Sequence, residues 1–271
     1  MSRKGAVAIL AAAAAAAGTC LVLAPRASGR VQTLPAEIFK RSRVLFVSLA
    51  KEPPKIDGVL DDEAWQWASA GGVLADTVTG KPGTVRTTFK VCHDWKNLYV
   101  AFDCQDADVW SEFTRRDQPL WDAEVVEVFI DPKGVRKKYF EFEVSPRNVV
   151  WDGLITNPKG MQQGVVFDSS WNCSGFRSAV RVQGSVADRK DRDRGWTVEM
   201  AIPTRCIVGR RAQPYDHWEV NFYRIERKGK GSPEMLAWSP TKVPYFHAPK
   251  RFGRIVFWPH EPVIAPPPRG K

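Results

Sequence analysis

Three carboxylates of one parity, Glu127, Glu141 and Glu143, are the residues of this 271-residue chain best placed by type and spacing to do chemistry. They fall on two runs, Val125 to Asp131 and Tyr139 to Ser145, joined by Pro-Lys-Gly-Val-Arg-Lys-Lys. Folding these runs as a hairpin with Asp131 opposite Tyr139 sets Val126, Val128 and Ile130 against Val144, Phe142 and Phe140. That face is wholly apolar and must be core, so the acids take the other face. Glu127 and Glu143 then stand directly opposite one another, and like charges so placed destabilise a sheet. An arginine, a cation, a raised pKa or ligand hydroxyls would offset them. Arg224, in Asn-Phe-Tyr-Arg, is the candidate partner from a neighbouring strand. The plainer reading is an acidic face exposed to water. Carboxylates so spaced can serve as general acid and base in glycoside hydrolysis, or can accept hydrogen bonds from hydroxyls.

Aromatic residues in loops accompany the acids. Trp121 enters the hairpin through Arg116-Asp-Gln-Pro-Leu-Trp121-Asp122, a polar stretch containing proline and lacking strand alternation. Pro-Tyr245-Phe246-His is a second loop cluster. Loop aromatics outside a strand pattern are better binding candidates than Trp196 or Trp218, which alternate with core positions. With 11 tryptophans in the chain, most must be core.

The elements that position these residues read as short strands. Arg86 to His93 and Leu98 to Cys104 form a hairpin around Asp94–Asn97, with Phe89 facing Phe102 and Val91 facing Val100. Further strands are expected at 148–155, 179–186, 196–202, 218–227 and 254–258, and one short helix within 61–70. Trp196, Val198, Met200 and Ile202 point inward by their alternation. The expected fold is all-β, an antiparallel, jelly-roll-like β-sandwich with one or two short helices. Residues 1–29 are assigned to a leader, 30–50 to an approach segment, 51–258 to the sandwich and 259–271 to a proline-rich tail.

Net charge is +10, and +7 once Arg3, Lys4 and Arg26 of the leader are set aside. The basic surplus is dispersed in mixed clusters such as Asp188–Arg194, which reads as a solvated loop. No nucleic-acid partner is expected, and a basic envelope interaction protein is the reading that salt-sensitive binding would favour. Arg3 and Lys4 precede the uncharged, alanine-rich run Ala6–Ala24, and Ala27-Ser-Gly supplies a cleavage site. Export to the periplasm or outside the cell follows. An uncleaved anchor is the alternative, and only then is a membrane involved. Beyond the leader, Cys92, Cys104, Cys173 and Cys206 permit three disulfide pairings or none. No GxSxG, HExxH or P-loop motif is present.

Five segments in order resemble the family 9 carbohydrate-binding modules: Ile56-Asp-Gly-Val-Leu-Asp-Asp-Glu-Ala-Trp65, Asn97-Leu-Tyr-Val-Ala-Phe102, Leu120 to Asp131, Gly195 to Pro203, and Phe252-Gly253. The resemblance implies a non-catalytic β-sandwich that grips the end of a sugar chain between two aromatic rings, in association with glycoside hydrolases. Trp121 matches one clamp position and Phe246 the other, with Tyr245 beside it. Glu127 matches a polar ligand contact. A family arginine falls on Glu143, reversing the charge, so neutral or amino sugars are expected over acidic ones unless Arg116 or Arg224 turns inward. The resemblance also implies structural calcium, for which Asp103, Asp106 and Asp122 could supply oxygen ligands. A glycoside hydrolase acting through Glu127 and Glu143 is the alternative.

Overall fold

A computed structural model describes residues 36–186, 188–227 and 232–259. The leader and the proline-rich tail lie outside the described residues. The strands in chain order are β1 (Val44–Leu49), β2 (Ser69–Val73), β3 (Ala75–Asp76), β4 (Thr87–His93), β5 (Asn97–Gln105), β6 (Val125–Asp131) and β7 (Lys138–Val144). They continue with β8 (Val150–Thr156), β9 (Val166–Asp168), β10 (Arg177–Gln183), β11 (Gly195–Pro203), β12 (His217–Glu226), β13 (Glu234–Ala237) and β14 (Gly253–Phe257). Two short helices, α1 (Glu63–Trp67) and α2 (Thr204–Val208), complete the regular structure among the described residues. No helix among them is long and apolar enough to cross a membrane.

The strands run in the order β10-β11-β5-β4-β1-β14-β12-β6-β7-β8-β9 and fold over into two packed layers. The turning point is β1. Val44 to Val47 pair with β14, then Ser48 and Leu49 pair with β4, both in parallel. The segment expected to be a mere approach therefore supplies a strand that joins the two layers, and Val47 is fully buried. The sandwich is mixed rather than wholly antiparallel for the same reason.

Hydrophobic alternation dictates the core between the layers. Phe89 pairs with Phe102 and Val91 with Val100 in one layer. Val126, Val128 and Ile130 pair with Val144, Phe142 and Phe140 in the other. Phe89 stacks on Phe222 of the facing layer, with ring centroids 4.2 Å apart, and Trp196, Val198, Met200 and Ile202 join the same core. Burial of this apolar surface is the main stabilising force. A disulfide between Cys173 and Cys206 ties the segment before β10 to α2, while Cys92 and Cys104 stay buried and free.

The opening Ile56-Asp-Gly segment is held by a carboxylate of β11. Glu199 accepts hydrogen bonds from the Asp57 and Gly58 backbone N–H groups at 2.8 and 2.6 Å and from Trp65 Nε1 at 2.5 Å. Gly58 has φ +85°, and a Cβ there would come within 2.8 Å of the Val180 carbonyl carbon, so only glycine fits the turn.

A second apolar cluster covers the outer face of the β12-β6-β7-β8 layer. Phe129, Tyr139, Trp151, Tyr223, Phe246 and Phe252 build it, drawing on the strands and on the loops before β6 and after β13. This layer is thus buried on both faces.

Candidate ligand-binding site

Strand register sets the floor of the site. Tyr223, Glu127, Glu143 and Trp151 are Cα partners in one row across β12, β6, β7 and β8. Two residues along, Asn221, Phe129, Glu141 and Gly153 form the next row on the same face. Gly153 leaves room for the Trp151 indole, since a Cβ there would come within 2.6 Å of that ring.

The covering loops bury these acids. Glu127 and Glu141 are 2% exposed and Glu143 is fully buried. The expectation of an acidic face open to water is overturned, because the loops bearing Trp121 and Phe246 close over the sheet. Ligand oxygens of the three glutamates lie within 4.8 Å of one another. The Glu141 and Glu143 carboxyl groups hydrogen-bond to each other, and no other described residue reaches the Glu143 oxygens. Burial raises all three well above the ordinary carboxylate range, with the mutual proximity of the negative charges adding to it.

Above Glu127 and Glu141 opens a cavity of about 330 Å³. Trp121 and Phe167 line it from one pair of segments, and Tyr245, Phe246 and His247 from the loop after β13. Trp121, 37% exposed, is the middle residue of a 3-10 turn at Leu120–Asp122. Its indole lies nearly parallel to Phe167, at 6.0 Å and 25°, and edge-on to Trp151 at 6.0 Å. Tyr223 Oη donates to the Phe246 carbonyl at 3.0 Å, and Asn157 Nδ2 donates to the His247 carbonyl at 3.1 Å. Tyr139 Oη and His247 Nδ1 are hydrogen-bonded at 2.8 Å. Burial pushes His247 down to about 4, so it stays neutral at physiological pH.

Of the residues expected at the site, Trp121, Glu127, Tyr245 and Phe246 share the cavity. Glu143 lies behind its lining. Phe246 is 4% exposed and stacked on Tyr223 at 4.1 Å, so it supports the wall more than it presents a face. Arg116 is a correction. Its guanidinium is held by Asp152 and by Asn172 Oδ1 at 2.9 Å, outside the cavity.

Arg224 is a second correction. It pairs in register with Val126, so its side chain takes the opposite face from Glu127. There it is fully buried, donating to Asp106 Oδ2 at 2.7 Å, Thr87 Oγ1 at 2.9 Å, the Gln105 carbonyl at 2.9 Å and Glu226. It leaves the Glu127–Glu143 pair without the expected counter-ion.

The calcium ligands require correction too. Asp103 is exposed on β5 between Thr88 and Thr197, Asp122 is exposed, and Asp106 turns inward to Arg224. The three do not gather. Asp106 instead meets Glu124 and Glu226. That cluster does not fit a calcium ion, because the Arg224 guanidinium already pairs with both Asp106 and Glu226 there. Burial, then a hydrogen bond to Asp106, pushes Glu124 up to about 11, so it keeps its proton.

Sequence reasoning missed Phe167 and Arg227, and placed His247 in the second loop cluster without giving it a role at the site. Phe167 sits in a three-residue strand too short for alternation to show. Arg227 donates to the Trp121 carbonyl at 3.2 Å and lines the cavity, but its position just past β12 carries no motif.

The geometry defines a β-sandwich module with an open aromatic cavity floored by buried acids. The chain belongs to the family described as carbohydrate family 9 binding domain-like, whose profile matches residues 56–258. It is similar to an extracellular protein of Arthroderma benhamiae, 27% identical over 191 residues that cover 67% of this chain and 82% of that protein. Among solved structures it is similar to a candidate carbohydrate-binding protein of Bacteroides uniformis, with TM-score 0.61, 20% identity, and coverage of 80% of this chain and 99% of that one. A family 9 carbohydrate-binding module of Caldicellulosiruptor kristjanssonii, solved with cellotriose, gives TM-score 0.56 at 15% identity, covering 84% of this chain and all of that one. Its complex with glucose gives TM-score 0.56 at 16% identity, covering 83% and 100%.

Proposed function

We propose that this protein binds a poly- or oligosaccharide without cleaving it, at the cavity lined by Trp121, Phe167 and Tyr245. The observation that carries the reading is the pairing of a half-exposed indole with carboxylates in one cavity. A flat ring covers the C–H face of a pyranose, and carboxyl groups at its edge hydrogen-bond to hydroxyls. Family membership and the cellotriose and glucose complexes of the similar module support the same ligand class. Catalysis fits less well. A glycosidase needs one ionised carboxylate as nucleophile or base, whereas burial keeps Glu127, Glu141 and Glu143 disposed to hold protons.

Export belongs to the same proposal. The charged and apolar leader, the extracellular relative and the Cys173–Cys206 disulfide support it, since disulfides persist in oxidising compartments. Work alongside glycoside hydrolases follows from the same logic, as a binding module holds an enzyme or cell near its polymer. Calorimetry of the full chain against neutral, amino and acidic oligosaccharides tests the reading. Saturable binding competed by free sugar is expected. Release of reducing ends that depends on Glu127, or no binding across the panel, would overturn it.

A further inference from the structure

We propose that a second, basic cavity of this protein binds the carboxylate or sulfate groups of an acidic oligosaccharide. It opens where Asn97 of β5 pairs with Pro203 of β11, and its volume is about 620 Å³. Lys96, Asn97, Gly175, Pro203, Arg205 and Arg211 line it, so it shares no residue with the cavity of Trp121 and Tyr245. The two also belong to different layers, since the first is floored by β6 and β7 and the second lies at an end of the β10-β11-β5-β4 layer.

The ionisable side chains of the lining are all cations, and among the described residues none of them pairs with an acid. Nearby acids are engaged elsewhere. Asp216 pairs with Arg210 at 2.6 Å. Asp94 accepts the Lys96 and Asn97 backbone N–H groups at 2.9 and 2.7 Å and the Tyr99 hydroxyl at 3.0 Å. The flanking sequence supplies no others, because Trp171 to Gln183 and Pro203 to Tyr215 together hold five arginines and no acidic residue. This differs from the Asp188–Arg194 loop, where acids alternate with bases. Like charges gathered without acids repel one another, and a bound anion relieves that repulsion.

The frame of the cavity is fixed by hydrogen bonds and a disulfide. Thr204, buried at the start of α2, donates its N–H to the Lys96 carbonyl at 2.8 Å and its Oγ1 hydroxyl to the Trp95 carbonyl at 2.9 Å. The Ala212 N–H, just past Arg211, donates to the same Trp95 carbonyl at 2.9 Å. The Cys173–Cys206 disulfide ties the Gly175 wall to the helix that carries Arg205. Backbone held in this way reduces the entropy lost when the side chains close on an anion.

The side-chain chemistry selects the ligand. Arginine forks match the paired oxygens of a carboxylate or a tetrahedral oxyanion, and Lys96 adds a point charge. The Asn97 amide oxygen can accept from a sugar hydroxyl beside the anion. No aromatic ring lines the cavity, so bases of single-stranded nucleic acid have nothing to stack on. No large apolar side chain lines it either, as insertion into a lipid surface would require.

The full chain is titrated by calorimetry with oligogalacturonate and with a heparin-derived oligosaccharide, each at low and at high sodium chloride. Saturable binding that weakens at high salt is expected. Arg205→Gln combined with Arg211→Gln removes two solvent-facing ion pairs and should weaken binding about tenfold. Lys190→Ala combined with Arg192→Ala removes the same charge from the loop at the far end of β10 and β11, and should leave binding unchanged. Circular dichroism verifies the fold of each variant. Binding of only one of the two probes supports the proposal and identifies the anion. Equal losses in the two double variants would overturn it, as net charge alone would then be acting. Absence of saturable binding of both probes would overturn it too, as would loss of that binding in Trp121→Ala, which would place acidic sugar in the first cavity. Tighter binding of single-stranded DNA or of phosphatidylglycerol vesicles through Arg205 and Arg211 would overturn it in favour of a phosphate partner. Each of these failures leaves neutral-sugar binding at the Trp121 cavity to stand or fall by its own titration.

Discussion

Arg224 and Glu127 sit on adjacent strands one register step apart, yet their side chains occupy opposite faces of the same sheet. That single step sends a fully buried arginine to Asp106 and Glu226, and leaves the three glutamates on the other face without a basic ion-pair partner among the described residues. Removing the guanidinium takes the ion-pair partner from two buried carboxylates, Asp106 and Glu226. Arg224→Ala should therefore destabilise the fold by about 3–5 kcal/mol in urea denaturation. A loss below about 1 kcal/mol would show that the cluster is dispensable. Sugar affinity of a folded Arg224→Lys variant should match that of the parent, because the residue does not face the cavity.

Phe142 tests the apolar side of the same hairpin. Its ring is fully buried, packed against Phe176 at 5.1 Å and Trp171 at 6.0 Å. Phe142→Ala should cost about 3–5 kcal/mol, partly from lost burial and partly from the cavity left behind. Calorimetric unfolding checks it, and an unchanged melting temperature would contradict the packing described.

Trp121 and Phe246 should separate binding from stability. Trp121 is half-exposed against Phe167, whereas Phe246 is stacked on Tyr223 within the outer apolar cluster. Trp121→Ala should cut affinity for the sugar at least about tenfold, equivalent to about 1.4 kcal/mol, with little change in melting temperature. Phe246→Ala should lower the melting temperature clearly. If the two variants exchanged these effects, the assignment of exposed ring and supporting ring would be wrong.

Stability should depend on pH through buried groups of opposite sign, among them Glu124 and His93. Glu124 is pushed from an ordinary value near 4.5 up to about 11, chiefly by burial. The folded state then holds a proton that the unfolded chain releases above about pH 4.5, so this contribution is lost as pH rises. His93 is depressed from 6.5 to about 4, again by burial. The unfolded chain binds the extra proton between those values, so stability falls as pH drops from 6.5 toward 4. Glu124→Gln should raise the melting temperature relative to the parent more at pH 9 than at pH 5. An equal offset at both would show that Glu124 does not hold its proton in the fold.

Much of the fold was legible in the sequence because strand alternation has a period of two that reports directly on burial. The pairings of Phe89 with Phe102 and of Val126, Val128 and Ile130 with the second hairpin strand emerge from apolar parity, and the structure keeps the same register. The loop placement of Trp121 and Tyr245 was readable too, because neither fits an alternating run. β1 escaped notice since its basic surroundings hid a six-residue apolar strand.

Alternation determined which residues share a face, and thereby that Glu127, Glu141 and Glu143 stand together. It carried no information on what covers that face. Only the tertiary structure decided that loops from residues 107–124 and 238–252 bury the acids, that Phe167 joins Trp121, and that Arg224 turns to Asp106. The physical reason is that a strand's pattern records its own two sides, whereas the partner met on each side depends on chain segments about a hundred residues away: Arg224 and Asp106 are 118 positions apart.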